Sequence, residues 1–268
     1  MLMNAMSIDL EDWYHCLDPN PARWGGFRER VEPSVNQILE ILDETGTRVT
    51  FFVLGHVAER HPQLVWKIHA AGHEIASHGY AHEFVYGLSP GAFETDVRRS
   101  LYILDSIVHQ PIIGYRAPYF SITRDSLWAL QILRRLGFAY DSSIFPVLNH
   151  RYGIPDAPRL PHPTESGLKE VPLTCYPLGL FNVPCSGGVY FRILPYEATR
   201  SMFKRMANRG EPINFYLHPW EIDPDQPRVP LPMGLRLRHY WGLDRTANKL
   251  RRLLRDFSFG PIRGLLEL

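Results

Sequence analysis

The chain is poor in the features that mark several large classes of protein. It has three cysteines in 268 residues, Cys16, Cys175 and Cys185, too few and too scattered for a disulfide framework or a thiolate metal site. No apolar run approaches the roughly 20 residues that a membrane-spanning helix needs. The opening MLMNAMSIDLEDW has neither the basic start nor the long apolar core of a secretory signal. Neither sign of charge prevails. Lys and Arg number 29 against 28 Asp and Glu, a net charge of +1, so no general field draws the chain to nucleic acid or to an anionic membrane. Low-complexity tracts and internal repeats are missing as well. These absences predict a soluble, cytoplasmic protein with no membrane span and no nucleic-acid partner.

Hydrophobic residues make up 45% of the chain and charged residues 21%, which supplies a sizeable core and argues against extended disorder. One arrangement recurs: an amphipathic stretch ends at a glycine, and a short apolar β-prone run follows. SVNQILEILDETG sets Val35, Ile38, Leu39 and Leu42 at helical spacing and stops at Gly46, before RVTFFVLG. PQLVWKIHAAG precedes HEIASH, RDSLWALQILRRLG precedes FAYDSS, and EATRSMFKRMANRG precedes PINFYLH. Helix and strand in alternation imply βα units around a parallel sheet. Asp9, His78, Arg116, Asp141 and His218 each fall at or just past the end of an apolar run. Polar residues at five strand ends suit a barrel, whose strand ends converge on one face, better than an open sheet with one switch point. The expected architecture is a single α/β domain over residues 1–268, a (β/α) barrel. HYWGLDRTANKLRRLLRDF adds one amphipathic C-terminal helix at about 239–257. Residues 146–170, and the proline-rich 221–238, break the rhythm.

Four clusters could carry chemistry. In SHGYAH, His78 and His82 stand four apart; one helical turn would bring both imidazoles to one face, close enough to share a cation. In a chain with 12 histidines that spacing is weak evidence alone. MSIDLEDW adds three carboxylates, Asp9, Glu11 and Asp12, at the end of the first strand. Two histidines, a carboxylate and an open position make the ligand set of a catalytic divalent ion, and a spare carboxylate beside it suits a general base. GYRAP holds Arg116 in a rigid turn, able to brace a carboxylate. YLHPW ends the last clear strand on His218.

In this order SIDLEDW, SHGYAH, GYRAPYF, YDSS and FYLHP resemble the motifs of the NodB-type polysaccharide deacetylases, carbohydrate esterase family 4. The nearest likeness is to the branch with allantoinase-like and Helicobacter-type peptidoglycan deacetylase-like proteins and the deacetylases of exopolysaccharide loci. It runs from about Met6 to Trp220. The resemblance implies a distorted (β/α) barrel and metal-dependent removal of N-acetyl, sometimes O-acetyl, groups from an oligo- or polysaccharide. Carried over by motif, His78 and His82 are metal ligands, Asp9 is the catalytic base, Arg116 braces it, His218 is the general acid and Asp141 orients that histidine. The implied ion is divalent, foremost Zn²⁺, with Co²⁺, Ni²⁺ and Mn²⁺ as alternatives. Leu10 departs from the family's pair of adjacent acids, so the metal carboxylate is Glu11 or Asp12. Strand alternation favours Glu11; the usual ligand length favours Asp12, to which the balance leans. Tyr119, Phe120 and Trp220 are expected to form the acyl pocket or to meet sugar rings. Arg192, in the glycine-flexible loop SGGVYFRILPY, is available to an anionic sugar or a peptide carboxylate as a substrate contact. Two other readings stand beside this one: an allantoinase-like amidohydrolase acting on a small cyclic ureide, and a non-catalytic carbohydrate-binding barrel.

Overall fold

NAMSIDL forms strand β1 (Asn4–Leu10), buried along its whole length, as a strand covered on both faces must be. The computed structural model describes residues 4–18, 20–149, 151–179 and 181–268. Along the chain follow β2 (Thr50–Val53), β3 (Glu74–Ser77), β4 (Gly114–Tyr115), β5 (Tyr140–Asp141), β6 (His162–Pro163), β7 (Lys169–Glu170), β8 (Cys175–Leu178), β9 (Phe181–Pro184), β10 (Asn214–Leu217) and β11 (Phe259–Gly260). The main sheet runs β10-β1-β2-β3-β4-β5-β7-β6, with β11 added beside β1. It is parallel from β10 to β7, and β6 pairs antiparallel at the edge. β8 and β9 make a separate hairpin. The helices wrap the outside of this curled sheet, and none among the described residues is long and apolar enough to cross a membrane.

The curl leaves β10 facing the segment after β7 without a strand ladder between them. Pro172 interrupts that segment and has no N–H to give. Asn214 closes the gap instead. Its side-chain amide donates to the carbonyls of Val171 and Pro172 at 3.0 and 3.2 Å, and its N–H donates to Thr174 Oγ1 at 2.7 Å. The barrel is thus distorted at one seam, held by these side-chain bonds and a single backbone bond, Thr174 N to the Asn214 carbonyl at 3.3 Å, where a regular barrel has a ladder.

Alternation along the strands decides what enters the barrel. Ala5, Phe52, Ala76 and Tyr140 meet inside it, and Ile262 from the C-terminal helix Ile262–Leu265 plugs the lower end. Met6, Ile8, Leu10, Phe51, Val53 and Ile75, one residue out of phase, pack outward against the helices. Asp9, Glu11, His78, Arg116 and His218 share the inward phase at the opposite end.

Three local expectations are corrected. SHGYAH is not a helical turn: Gly79 and His82 have φ of +69° and +54°, and the loop is held by Asp96, which accepts from Tyr80 N and Ala81 N at 2.8 and 3.0 Å. SGGVYFRILPY is not a flexible loop. Gly188–Ile193 is helical, and a Cβ on Gly187 would stand 1.7 Å from the Tyr216 carbonyl oxygen, so the strand behind it admits only glycine. The C-terminal tail is two helices, Met233–Tyr240 and Leu243–Asp256. The Arg192 guanidinium takes the carbonyls of Arg238, His239 and Trp241 at 2.8–3.0 Å, and Gly242 turns the chain at φ +76°. Those carbonyls are therefore unable to continue the helix.

Candidate active site

Glu11 lies one residue past β1 and keeps the inward phase of Asp9. Its Oε2 is 2.5 Å from His82 Nε2, and its Oε1 is 3.2 Å from His218 Nε2. His78, just past β3, turns its Nδ1 to the Arg116 carbonyl at 2.8 Å, which fixes the ring and leaves Nε2 free. Ligand atoms of Glu11, His78 and His82 all lie within 4.8 Å of one another, and all three residues are buried. Burial pushes His78 down to about 4 in spite of nearby Asp9 and Glu11, so its imidazole is neutral at pH 7, the form that ligates a metal. Burial would raise the Glu11 carboxyl, but His82 and His218 hold it far below the usual range. His82 Nδ1 is buried with no hydrogen-bond partner among the described residues. An ionised carboxylate and two imidazoles, converging in a buried site, fit a divalent cation by number, kind and spacing.

Asp9 is 1% exposed, yet it carries a bracing cation. Arg116 NH1 donates to its Oδ1 at 2.6 Å and to Ser7 Oγ at 2.7 Å. The other guanidinium nitrogens reach the carbonyl and hydroxyl of Ser142, and the guanidinium carbon lies 4.1 Å from the centre of the Phe52 ring. Asp9 Oδ2 is left toward the cleft, 4.0 Å from His218 Nε2. His218 Nδ1 donates to Glu221 Oε2 at 3.0 Å. Against burial, Glu11, Glu221 and Asp9 push His218 up to about 9. Glu221 is itself brought down to about 2, because Arg192 and His218 outweigh its burial. Arg192 Nε donates to Glu221 Oε1 at 2.8 Å. Asp9, braced by Arg116, and a protonated His218 thus face each other beside the Glu11–His78–His82 cluster.

Three of the expected site residues stand elsewhere. Asp12 is out of phase with Asp9, and its oxygens accept from the backbone N–H groups of Trp13, Arg30 and Val31 at 2.6–3.0 Å. It ties the first strand end to the start of helix Val31–Asp43, and Glu11 is the carboxylate beside the histidines. Asp141 also points to the outer side. It accepts from Ser143 Oγ at 2.6 Å, and Ser143 Oγ in turn accepts from Ala117 N at 2.8 Å, so Asp141 supports the turn after Arg116. The acid behind His218 is Glu221, which the sequence reading missed. A Glu three residues after a strand-ending His, at the start of a short turn, is the capping-box pattern that could have found it. Arg192 is 3% exposed, its charge is paired with Glu221, and each guanidinium nitrogen is engaged inside the protein, so it is spent on the fold and on Glu221.

The aromatic residues do border the cleft. Tyr119 and Phe120 are consecutive non-glycine residues at φ of +56° and +55°, a strained pair of the sort that persists where surrounding structure holds it. The Tyr119 ring packs on His82 at 4.4 Å between centroids and stacks on Phe84 at 4.2 Å. Phe120 packs edge-on to Tyr216. Trp220 lies between His218 and His239, stacked on both.

Residues 15–140 match the family described as polysaccharide deacetylase, and residues 142–267 match a domain of unknown function, DUF3473. Over 132 residues the chain is 35% identical to a peptidoglycan deacetylase-like protein of Gibberella zeae, covering 48% of this chain and 37% of that protein. Over 113 residues it is 26% identical to a peptidoglycan deacetylase of Helicobacter pylori, covering 42% and 38%. The matched part is thus well under half the length of these relatives. A crystal structure from Mycobacterium smegmatis, described as a polysaccharide deacetylase, superposes over 99% of this chain and 88% of its own, with a TM-score of 0.66 at 22% identity, which establishes a shared fold. Residues 15–140 are thus similar to the polysaccharide deacetylases, and the DUF3473 segment supplies β6, β7, β10 and β11 of the same sheet.

Proposed function

We propose that the chain is a metal-dependent deacetylase that hydrolyses the N-acetyl group of an amino sugar within an oligo- or polysaccharide. The observation that carries this reading is the opposed pair Asp9 and His218, one paired with the Arg116 guanidinium and the other protonated, beside Glu11, His78 and His82. Simple carbohydrate binding has no use for such a pair. A divalent ion held by those three residues, Zn²⁺ suiting two imidazoles and a carboxylate best, supplies Lewis acidity to the acetyl carbonyl and acidifies a water. Asp9 Oδ2 takes a proton from the attacking water, while Arg116 keeps Oδ1 and fixes the direction of the free oxygen. The Tyr119 N–H, which has no acceptor among the described residues, donates to the developing oxyanion. His218 Nε2 gives its proton to the departing nitrogen as the C–N bond breaks, since an amine anion is a very poor leaving group. Glu221 and Arg192 keep the imidazolium charged and oriented through that step. The products are acetate and the free amino sugar.

The test follows acetate release by metal-loaded enzyme from chitooligosaccharides, other N-acetylglucosamine-containing glycans and O-acetylated xylan, with allantoin loss followed in parallel. Acetate from an N-acetyl glycan is expected, falling about 10²-fold or more in Asp9→Asn. Allantoin turnover with no acetate from any glycan assigns the chain to small-ureide chemistry instead.

A further inference from the structure

We propose that the cleft selects an N-acetylated glycan bearing a sugar carboxylate, read by Arg151 and Arg238; this rests on the deacetylase reading and names its substrate class. The cleft over the site opens to solvent, and its floor is formed by Asp9, Glu11, His78, His82 and His218. Its deep charges are matched inside the protein: Asp9 by Arg116 and Glu221 by Arg192. Two further guanidinium residues line the same cleft, and neither has a carboxylate within 4.0 Å among the described residues. Arg151 lies over the stacked rings of Phe84 and Tyr119, at 5.3 and 5.4 Å from their centroids. Aromatic faces position a guanidinium without neutralising it, and the same Tyr119 ring packs on His82. Arg151 is therefore one ring away from the reacting centre.

Arg238 sits on helix Met233–Tyr240, where its carbonyl is pinned by Arg192 at 2.8 Å. Its side chain is exposed and lines the cleft together with Cys16, Arg151 and Tyr152. The Tyr152 and Tyr190 hydroxyls, 3.0 Å apart, offer neutral contacts in the same wall. Two like charges brought to one cleft with no internal counter-ion repel each other until a ligand supplies the anion. A carboxylate matches the guanidinium fork in two parallel hydrogen bonds. Arg192, the cation singled out in the sequence, is sealed behind Glu221 and has no part in this.

The experiment compares kcat/KM on two oligosaccharides of equal length, one of N-acetylglucosamine alone and one alternating N-acetylglucosamine with glucuronic acid. The acidic substrate is expected to be favoured at least about tenfold at low ionic strength, with the preference shrinking as salt rises. Arg151→Ala and Arg238→Ala should each lower the acidic-to-neutral ratio by about tenfold, mainly through KM, with partial recovery in the Lys variants. Calorimetric binding of the acidic oligosaccharide to Asp9→Asn enzyme should weaken in step with those ratios. A ratio at or below one, or a ratio that neither Ala variant moves, overturns the carboxylate assignment. Acetate from the neutral substrate alone defeats only this assignment, whereas acetate from neither defeats the deacetylase reading as well.

Discussion

Glu11 and Asp12 are neighbours with the same charge and opposite employment. Glu11 faces the histidines, its Oε2 2.5 Å from His82 Nε2, while Asp12 spends both oxygens on three backbone N–H groups. Glu11→Gln should therefore lose bound metal, with affinity down at least about tenfold, whereas Asp12→Asn should keep it. Asp12→Asn turns an NH₂ toward two donors and should cost about 1–2 kcal/mol in stability. Metal content by emission spectroscopy and denaturant midpoints separate the two outcomes; equal metal loss in both would contradict the division. Glu221 is tested by leaving group. Glu221→Gln should lower kcat on an acetamido sugar by about 10², but have little effect on an aryl acetate, whose phenolate departs without a proton. A loss of the same size on both substrates would mean that Glu221 acts on structure and not on His218.

At the scale of elements, the loop after β3 shows how a ligand pair is held without a helix. Gly79 and His82 take left-handed backbone angles, and Asp96, from helix Pro90–Val108, receives the two N–H groups between them. A Cβ on Gly79 would stand 2.8 Å from that carboxylate. Asp96→Ala should weaken metal binding by about 10–100-fold, the usual effect of removing a group that positions a ligand, while the far-ultraviolet dichroism stays that of the native fold. Competition with a metal-sensitive dye measures the affinity, and an unchanged value would show that the loop sets itself. The i, i+4 spacing correctly drew attention to His78 and His82 and misjudged their backbone, because four residues can span a tight loop as well as a helical turn.

Across the whole molecule, a buried histidine away from the cleft links stability to pH. His73, which precedes β3, accepts from Val49 N at 3.2 Å through Nδ1, and burial, with help from Arg48, pushes it down to about 4. The unfolded chain, with a histidine near 6.5, binds more protons than the native one below that pH. The contribution of His73 to stability is thus complete above about pH 6.5 and is lost as pH falls toward about 4, by about 2–3 kcal/mol. Urea midpoints at neutral and mildly acid pH should show the loss, and His73→Gln should flatten it by that amount. An identical pH slope in the variant would place the acid sensitivity elsewhere.

The helix–glycine–strand rhythm and the order of the five motifs were legible in the sequence because both are properties of consecutive residues. The same holds for the inward phase shared by Asp9 and Glu11: strand alternation pointed to Glu11, and ligand length misled. What only the tertiary structure decided is which charge meets which. Asp141 ends a strand as His218 does, yet it lies one residue out of phase and braces the turn at Ala117, leaving Glu221 to hold the histidine. Arg192 looked free along the chain and is consumed by Glu221 and the carbonyls of a helix end some 50 residues on, while Arg151 and Arg238 keep their charge in the cleft. Spacing along the chain governs the side of an element on which a residue emerges; the partner it finds there depends on distant strands closing into a barrel, here across a seam that Asn214 bridges where Pro172 forbids a ladder.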